Sequence, residues 1–167
     1  MKLLFGMAVL LFIALLFAAA IKGKQKKEAA ADKYLAKPLL TDNEKQWYIA
    51  IKEAVPHAHV FGQVALNQLV KAANGKQWRS AKNKIDPRSI DFVVLNSDLA
   101  VLLTIEIDDK SHQATKRQAD DEKKNVALHS ADIPLLRIPA TPSLPVEEIK
   151  KRIVEAIATH ARNQVQA

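Results

Sequence analysis

The chain contains no cysteine. That removes disulfides, thiol nucleophiles and thiolate zinc sites. No GxxxxGK or GxGxxG run is present, so the usual nucleotide cradles are excluded. No GxSxG nucleophile elbow is present either. His57 and His59 have no partners at metal-ligand spacing, and no repeat of 20–50 residues recurs.

Charge is missing from the start of the chain. Lys2 is the only charged side chain before residue 22, and Leu3–Ile21 reads LLFGMAVLLFIALLFAAAI. A membrane-spanning helix needs about 20 such residues. Lys22, Lys24, Lys26 and Lys27 follow at once. The positive-inside rule therefore predicts a single-pass anchor over residues 1–21 in the inner (cytoplasmic) membrane, with the C-terminal domain in the cytoplasm. The competing reading is an exported protein whose signal peptide is cleaved at Ala18-Ala19-Ala20. The length of the run and the four lysines behind it favour the anchor.

Beyond residue 21 the chain is basic. Of 25 Lys and Arg only Lys2 precedes that point and no acid does, leaving 24 basic and 18 acidic residues, net +6. Such a surface suits anionic partners, nucleic acid or the inner leaflet. Residues 22–39 read as a Lys- and Ala-rich linker. Residues 40–163 have the size of one domain, and 164–167 form a tail.

The domain opens with a capping box, Thr41-Asp42-Asn43-Glu44. Trp47, Tyr48, Ile51 and Val55 follow at helical spacing until Pro56. A strand is expected around Val60–Leu66, running into a short helix that ends near Asn74-Gly75. Strands at Ser89–Leu95 and Val101–Asp108 flank the turn residues Asn96-Ser97-Asp98, which predicts a hairpin. A polar helix over 113–130, a short strand over Ile133–Ile138 and an amphipathic helix over Val146–Arg162 complete the order α-β-(α)-β-β-α-β-α.

Acids interrupt the two hairpin strands, at Asp91 in SIDFVVL and at Glu106 and Asp108 in VLLTIEID. Side chains alternate along a strand, so Thr104, Glu106 and Asp108 share one face while Leu103, Ile105 and Ile107 share the other. A turn centred between Asp98 and Leu99 pairs residues whose numbers sum to 197, which sets Asp91 opposite Glu106. Directly opposed residues have Cβ atoms roughly 4.5–5.5 Å apart, and like charges there are destabilising without a cation. Carboxylates in this arrangement suit Mg²⁺ or Mn²⁺. The plainer alternative is that the acids cap strand ends or pair with basic residues such as Arg137.

This arrangement resembles the PD-(D/E)xK nuclease fold, the restriction-endonuclease-like superfamily. More closely, the chain resembles the bacterial family called domain of unknown function 2726. The resemblance rests on LLTDNEKQWYIAIKEA, VFGQVALNQLV, IDFVV, IEIDDKSH, the Arg117…Asp121…Lys124 run and ADIPLLRI, most of residues 39–138. It implies an α/β fold with a central mixed sheet flanked by helices in α-β-β-β-α-β order. It also implies Asp91 and Glu106 as metal ligands. Asp108 stands where the nuclease motif has lysine, either as a further ligand or as the mark of a site that binds without cutting. Lys110, Lys116 or Lys124 would then supply the missing positive charge. Glu44 matches the acidic position of the first helix and Gln63 a polar strand position near the site.

Phosphodiester hydrolysis would use Asp91, Glu106 and Asp108 around the metal. His112 serves as acid/base or phosphate contact, or else as an ordinary loop histidine. Arg117, Asp121 and Lys124 share nearly one helix face, as a salt-bridge ladder or as a basic border of the site. Lys76, Arg79, Lys82, Lys84 and Arg88 surround Trp78, a pattern that suits phosphate contact with base stacking, or else a solvated loop. Three function classes follow: a membrane-anchored, metal-dependent nuclease; an inactive nuclease-fold module that binds nucleic acid at the membrane; and a membrane-associated scaffold.

Overall fold

The computed structural model describes residues 12–15, 34–108, 115–140 and 144–166. Pro38–Ala167 forms one compact unit and Met1–Lys37 another. In the second of these, residues 12–15 are helical and the rest of the expected anchor lies outside the described residues. Among the described residues no helix is long and apolar enough to cross a membrane.

The compact unit begins with α1 (Asp42–Ala54), which starts where the capping box requires. Thr41 Oγ1 accepts from the Glu44 N–H at 3.3 Å, and the Thr41 N–H donates to Glu44 Oε2 at 2.6 Å. Together these satisfy N–H groups that the first turn would otherwise leave unpaired. The helix ends at Val55, ahead of Pro56.

Four strands follow: β1 (His59–Ala65), β2 (Ser89–Leu95), β3 (Val101–Asp108) and β4 (Leu135–Pro139). They form one sheet in the order β1-β2-β3-β4. The first three are an antiparallel meander, while β4 runs parallel to β3. A parallel neighbour needs a crossover, and α4 (Thr115–Ser130) provides it. β4 is an edge strand, which is where a strand proline such as Pro139 is tolerated. Two short helices, α2 (Leu66–Leu69) and α3 (Trp78–Ile85), link β1 to β2, and α5 (Val146–Gln166) closes the chain.

The hairpin register agrees with the alternation argument. Phe92 pairs with Ile105, Val93 with Thr104 and Val94 with Leu103, all summing to 197. A shift after Val94 then pairs Leu95 with Val101. The turn is held by Asn96, whose side-chain oxygen accepts from the Asp98 and Ala100 N–H groups at 3.0 and 2.8 Å. Leu99 takes a left-handed φ of 61° in this turn.

Both faces of the sheet are covered. On one, Trp47 and Ile51 of α1 and Ile149 and Ile153 of α5 pack with Phe92, Val94, Leu103 and Ile105. Leu40 joins this core and crosses Gly62 so closely that a Cβ there would lie 2.9 Å from Leu40 Cδ2. On the other face Leu66, Val70, Ile85 and Leu128, carried by α2–α4 and their loops, pack with Ile90 and Val93.

Two expectations differ. The basic stretch 71–88 is not simply a loop, because α3 occupies its middle, and the preceding helix ends at Leu69 rather than near Gly75. α3 is anchored by one buried residue, Ile85, too few apolar positions for a periodic signal. The last helix continues past Arg162 through most of the expected tail, since no Pro or Gly stops it.

Candidate metal centre

The β2–β3 pairing runs to Phe92–Ile105, and the next residues on the two strands are Asp91 and Glu106. Glu106 is almost fully buried, and Asp91 is half-buried. Both carboxyls are pushed above the ordinary carboxylate range, chiefly by burial. Each raises the pKa of a neighbouring acid or is raised by one: Asp91 acts on Glu106, and Glu44 acts on Asp91. A buried anion needs partners, and each acid has a different set.

Asp91 Oδ2 accepts from the Ile107 N–H at 2.9 Å, so it caps the neighbouring strand as well as facing Glu106. Its Oδ1 lies 3.4 Å from Gln63 Nε2. Gln63 in turn donates to Glu44 Oε1 at 2.7 Å and accepts from the Ser89 hydroxyl at 3.2 Å. Glu44 therefore does two jobs, with Oε2 closing the capping box and Oε1 holding Gln63. Burial pushes the Glu44 carboxyl up, but hydrogen bonds from Thr41 and Gln63 outweigh it and hold it below the usual range.

Gln63 also has φ 54° within β1. Left-handed backbone in a non-glycine strand residue costs about 1–3 kcal/mol and collects at functional sites. It coincides with a gap in the β1–β2 pairing, which runs through Gly62–Phe92 and resumes at Val64–Ile90.

Glu106 is met from α4. Lys124 Nζ lies 2.5 Å from Glu106 Oε2 and 3.5 Å from Asp121 Oδ1. Lys124 itself is largely enclosed, with 14% of its side chain exposed. Among the described residues Glu106 Oε1 is buried with no hydrogen-bond partner. Leaving such an atom unpaired costs about 1–3 kcal/mol, more for a charged group. Facing acids with one orphaned carboxylate oxygen fit a divalent cation, which would pair that oxygen and offset the repulsion from Asp91.

The expected convergence of three acids does not occur. Asp108 is drawn toward β4, where Arg137 Nη1 lies 2.8 Å from its Oδ1, and it remains 41% exposed. Arg137 also reaches Asn125 Oδ1 at 3.0 Å and Asp121 Oδ1 at 3.9 Å. Among the described residues no group of three or more His, Asp or Glu side chains is placed to hold a metal ion. The cause is local, because the parallel register sets Arg137 beside Glu106 and within reach of the next acid along β3. Asp91 and Glu106 are thus neighbouring carboxylates, and Asp108 belongs to an ion pair beside them.

Of the other expected residues, Lys110 and His112 lie outside the described residues, and so does the side chain of Arg117. Asp121 flanks Lys124. In the basic stretch, Lys76, Trp78, Arg79 and Lys84 are exposed on or beside α3. Lys82 is paired with Asp86. Arg88 departs from the expected surface role. Its largely buried guanidinium binds Asp120 of α4 and the Lys84 carbonyl, tying α3 and β2 to α4. Asn125 and Ser89 were not legible as site residues. The only signal for either is adjacency, Asn125 to Lys124 and Ser89 two positions before Asp91.

A family model described as protein of unknown function (DUF2726) matches residues 36–157, and the chain belongs to that family. No curated protein and no solved structure matches the chain.

Proposed function

We propose that this member of the DUF2726 family is a membrane-anchored, metal-dependent nuclease-like protein that hydrolyses phosphodiester bonds of DNA or RNA. The observation that carries the reading is the pair of neighbouring acids, half-buried Asp91 and buried Glu106, with Glu106 Oε1 left unpartnered among the described residues. The four-stranded mixed sheet flanked by helices is compatible with a restriction-endonuclease-like core.

Asp91 and Glu106 would hold Mg²⁺ or Mn²⁺. When bound, such an ion activates a water and offsets charge on a phosphate. Gln63 and the Ile107 N–H orient Asp91. Lys124 brings a cation to the same carboxylates from α4, the service a strand lysine at position 108 would otherwise perform. Lys76, Trp78, Arg79 and Lys84 offer an exposed basic face with an aromatic for the nucleic-acid strand. The run over residues 3–21 would tether the domain to the inner membrane, with the domain in the cytoplasm.

A second reading is favoured by one observation. Lys124 and Arg137 already neutralise Glu106 and Asp108, which suits a module that binds nucleic acid without cutting it. Full-length protein incubated with single- and double-stranded DNA and RNA in Mg²⁺ separates the two. Cleavage that disappears in Asp91→Asn and Glu106→Gln, with folding retained by circular dichroism, supports the nuclease. Steeply salt-dependent binding with no cleavage of any of the four substrates replaces it with the binding module.

A further inference from the structure

The ammonium of Lys124 and a metal ion want the same carboxylate. Lys124 Nζ already sits on Glu106 Oε2, while the second oxygen of that carboxylate is buried and unpaired. A cation arriving between Asp91 and Glu106 is repelled by the ammonium and must share Glu106 with it. Among the described residues the other ion pair of Lys124 is to the half-exposed Asp121 at 3.5 Å. A phosphate oxyanion is the ligand that would draw an ammonium off a carboxylate, because it offers a full charge-assisted acceptor in exchange.

We infer that Lys124 couples the two ligands of the site: it occupies Glu106 until a phosphate oxyanion engages it, so that oxyanion and divalent metal bind with positive cooperativity. The inference rests on reading Asp91 and Glu106 as the metal-binding pair. It adds that the site resists metal alone and accepts it with substrate. The coupling is reciprocal by linkage, so metal also strengthens oxyanion binding by the same factor.

The neighbouring lysine provides the control. Lys123 is one residue away and carries the same charge, but it binds Asp120 at 3.0 Å. A variant of Lys123 therefore removes a unit of charge from the helix without freeing Glu106.

The test follows Mn²⁺ binding to full-length protein by the paramagnetic resonance of free Mn²⁺, with no turnover involved. Sulfate is the oxyanion probe, against chloride at equal ionic strength. Lys124→Met is expected to tighten Mn²⁺ binding on the order of tenfold, within the usual range of coupling between sites. Sulfate should tighten Mn²⁺ binding to the unaltered protein and leave Lys124→Met unaffected. Lys123→Met should behave like the unaltered protein. Thermal melts of the variants confirm that each is folded. Equal Mn²⁺ affinity in the unaltered protein and Lys124→Met, with no effect of sulfate, overturns the coupling and leaves the metal pair standing. An equal gain in Lys123→Met reduces it to net charge and also overturns it. Failure of Mn²⁺ to bind any of the proteins overturns the metal pair itself, and the coupling with it.

Discussion

The two faces of β3 differ by one residue of register and by almost everything else. Leu103, Ile105 and Ile107 face α1 and α5 across an apolar core. Thr104, Glu106 and Asp108 share the opposite face, and each finds a polar partner on α4, on β4 or just before β4. Thr104 donates to the Pro134 carbonyl at 2.7 Å, Glu106 meets Lys124 and Asp108 meets Arg137. The dry face holds the sheet together. The polar face has an apolar floor of its own under Ile90, Val93 and Leu128, and beyond it a patch where charge is buried at a cost. The contrast teaches where the plainer roles of the acids lie: Asp91 caps the neighbouring strand and Asp108 pairs with Arg137, while Glu106 keeps a buried oxygen without a partner among the described residues. They sit on a well-formed scaffold where packing gives way to charge.

Cutting into the dry face should have the largest effect on stability. Phe92 is fully buried in the α1/α5 core, and Phe92→Ala should cost about 3–5 kcal/mol by chemical denaturation. A cost below 1 kcal/mol would mean the two faces are not so different.

The polar face should behave in the opposite sense. Asp91 and Glu106 have raised pKa values in the fold, so the folded state holds their protons more tightly than the unfolded chain does. Their contribution is fully present below the ordinary carboxylate range, about pH 4. It is lost as pH rises through the raised values. Between those limits the metal-free protein should lose stability with rising pH more steeply than Asp91→Asn/Glu106→Gln does. Glu44, held below its usual range, contributes with the opposite sign at more acid pH. Melting temperatures from pH 4 to 8 read the difference. Parallel curves for the protein and the double variant would remove the charge strain from the polar face.

Two smaller effects sharpen the same contrast. Gln63→Gly relieves a left-handed backbone worth about 1–2 kcal/mol and breaks the link from Glu44 to Asp91. Stability should change by no more than about 1 kcal/mol in either direction, while Mn²⁺ affinity falls. Unchanged affinity would reduce Gln63 to a structural kink. Smallest of all, Asp108→Ala removes a partly exposed ion pair with Arg137 and should cost no more than about 1 kcal/mol. A larger loss, or loss of Mn²⁺ binding, would restore Asp108 to the metal centre.

Much of the sheet was legible before the fold was known. Alternation and the Asn96-Ser97-Asp98 turn give both hairpin strands their observed bounds and the register of Phe92, Val93 and Val94, while the shift at Leu95 had no signal. The capping box likewise fixes the start of α1. What the residues could not convey depends on contacts distant in the chain. Lys124 reaches Glu106 only because the α4 crossover lies over that face, and Arg137 reaches Asp108 only through the parallel register of β4. Lys124 and Arg137 both stand among the candidate cations read from the sequence, but the pairs join residues far apart in the chain and no local signature assigns either its partner. Arg88 reads as surface charge until Asp120 closes over it. The φ of Gln63 was invisible for another reason: glutamine carries no preference for left-handed backbone, so nothing local announces it.

The most direct test of the carboxylate pair is a crystal structure of the protein grown with Mn²⁺, read by anomalous scattering at the manganese edge. The expected result is a peak between Asp91 and Glu106, in contact with Glu106 Oε1, and Lys124 shifted off Oε2. A structure with no peak there, and Lys124 still seated on Glu106, would contradict it.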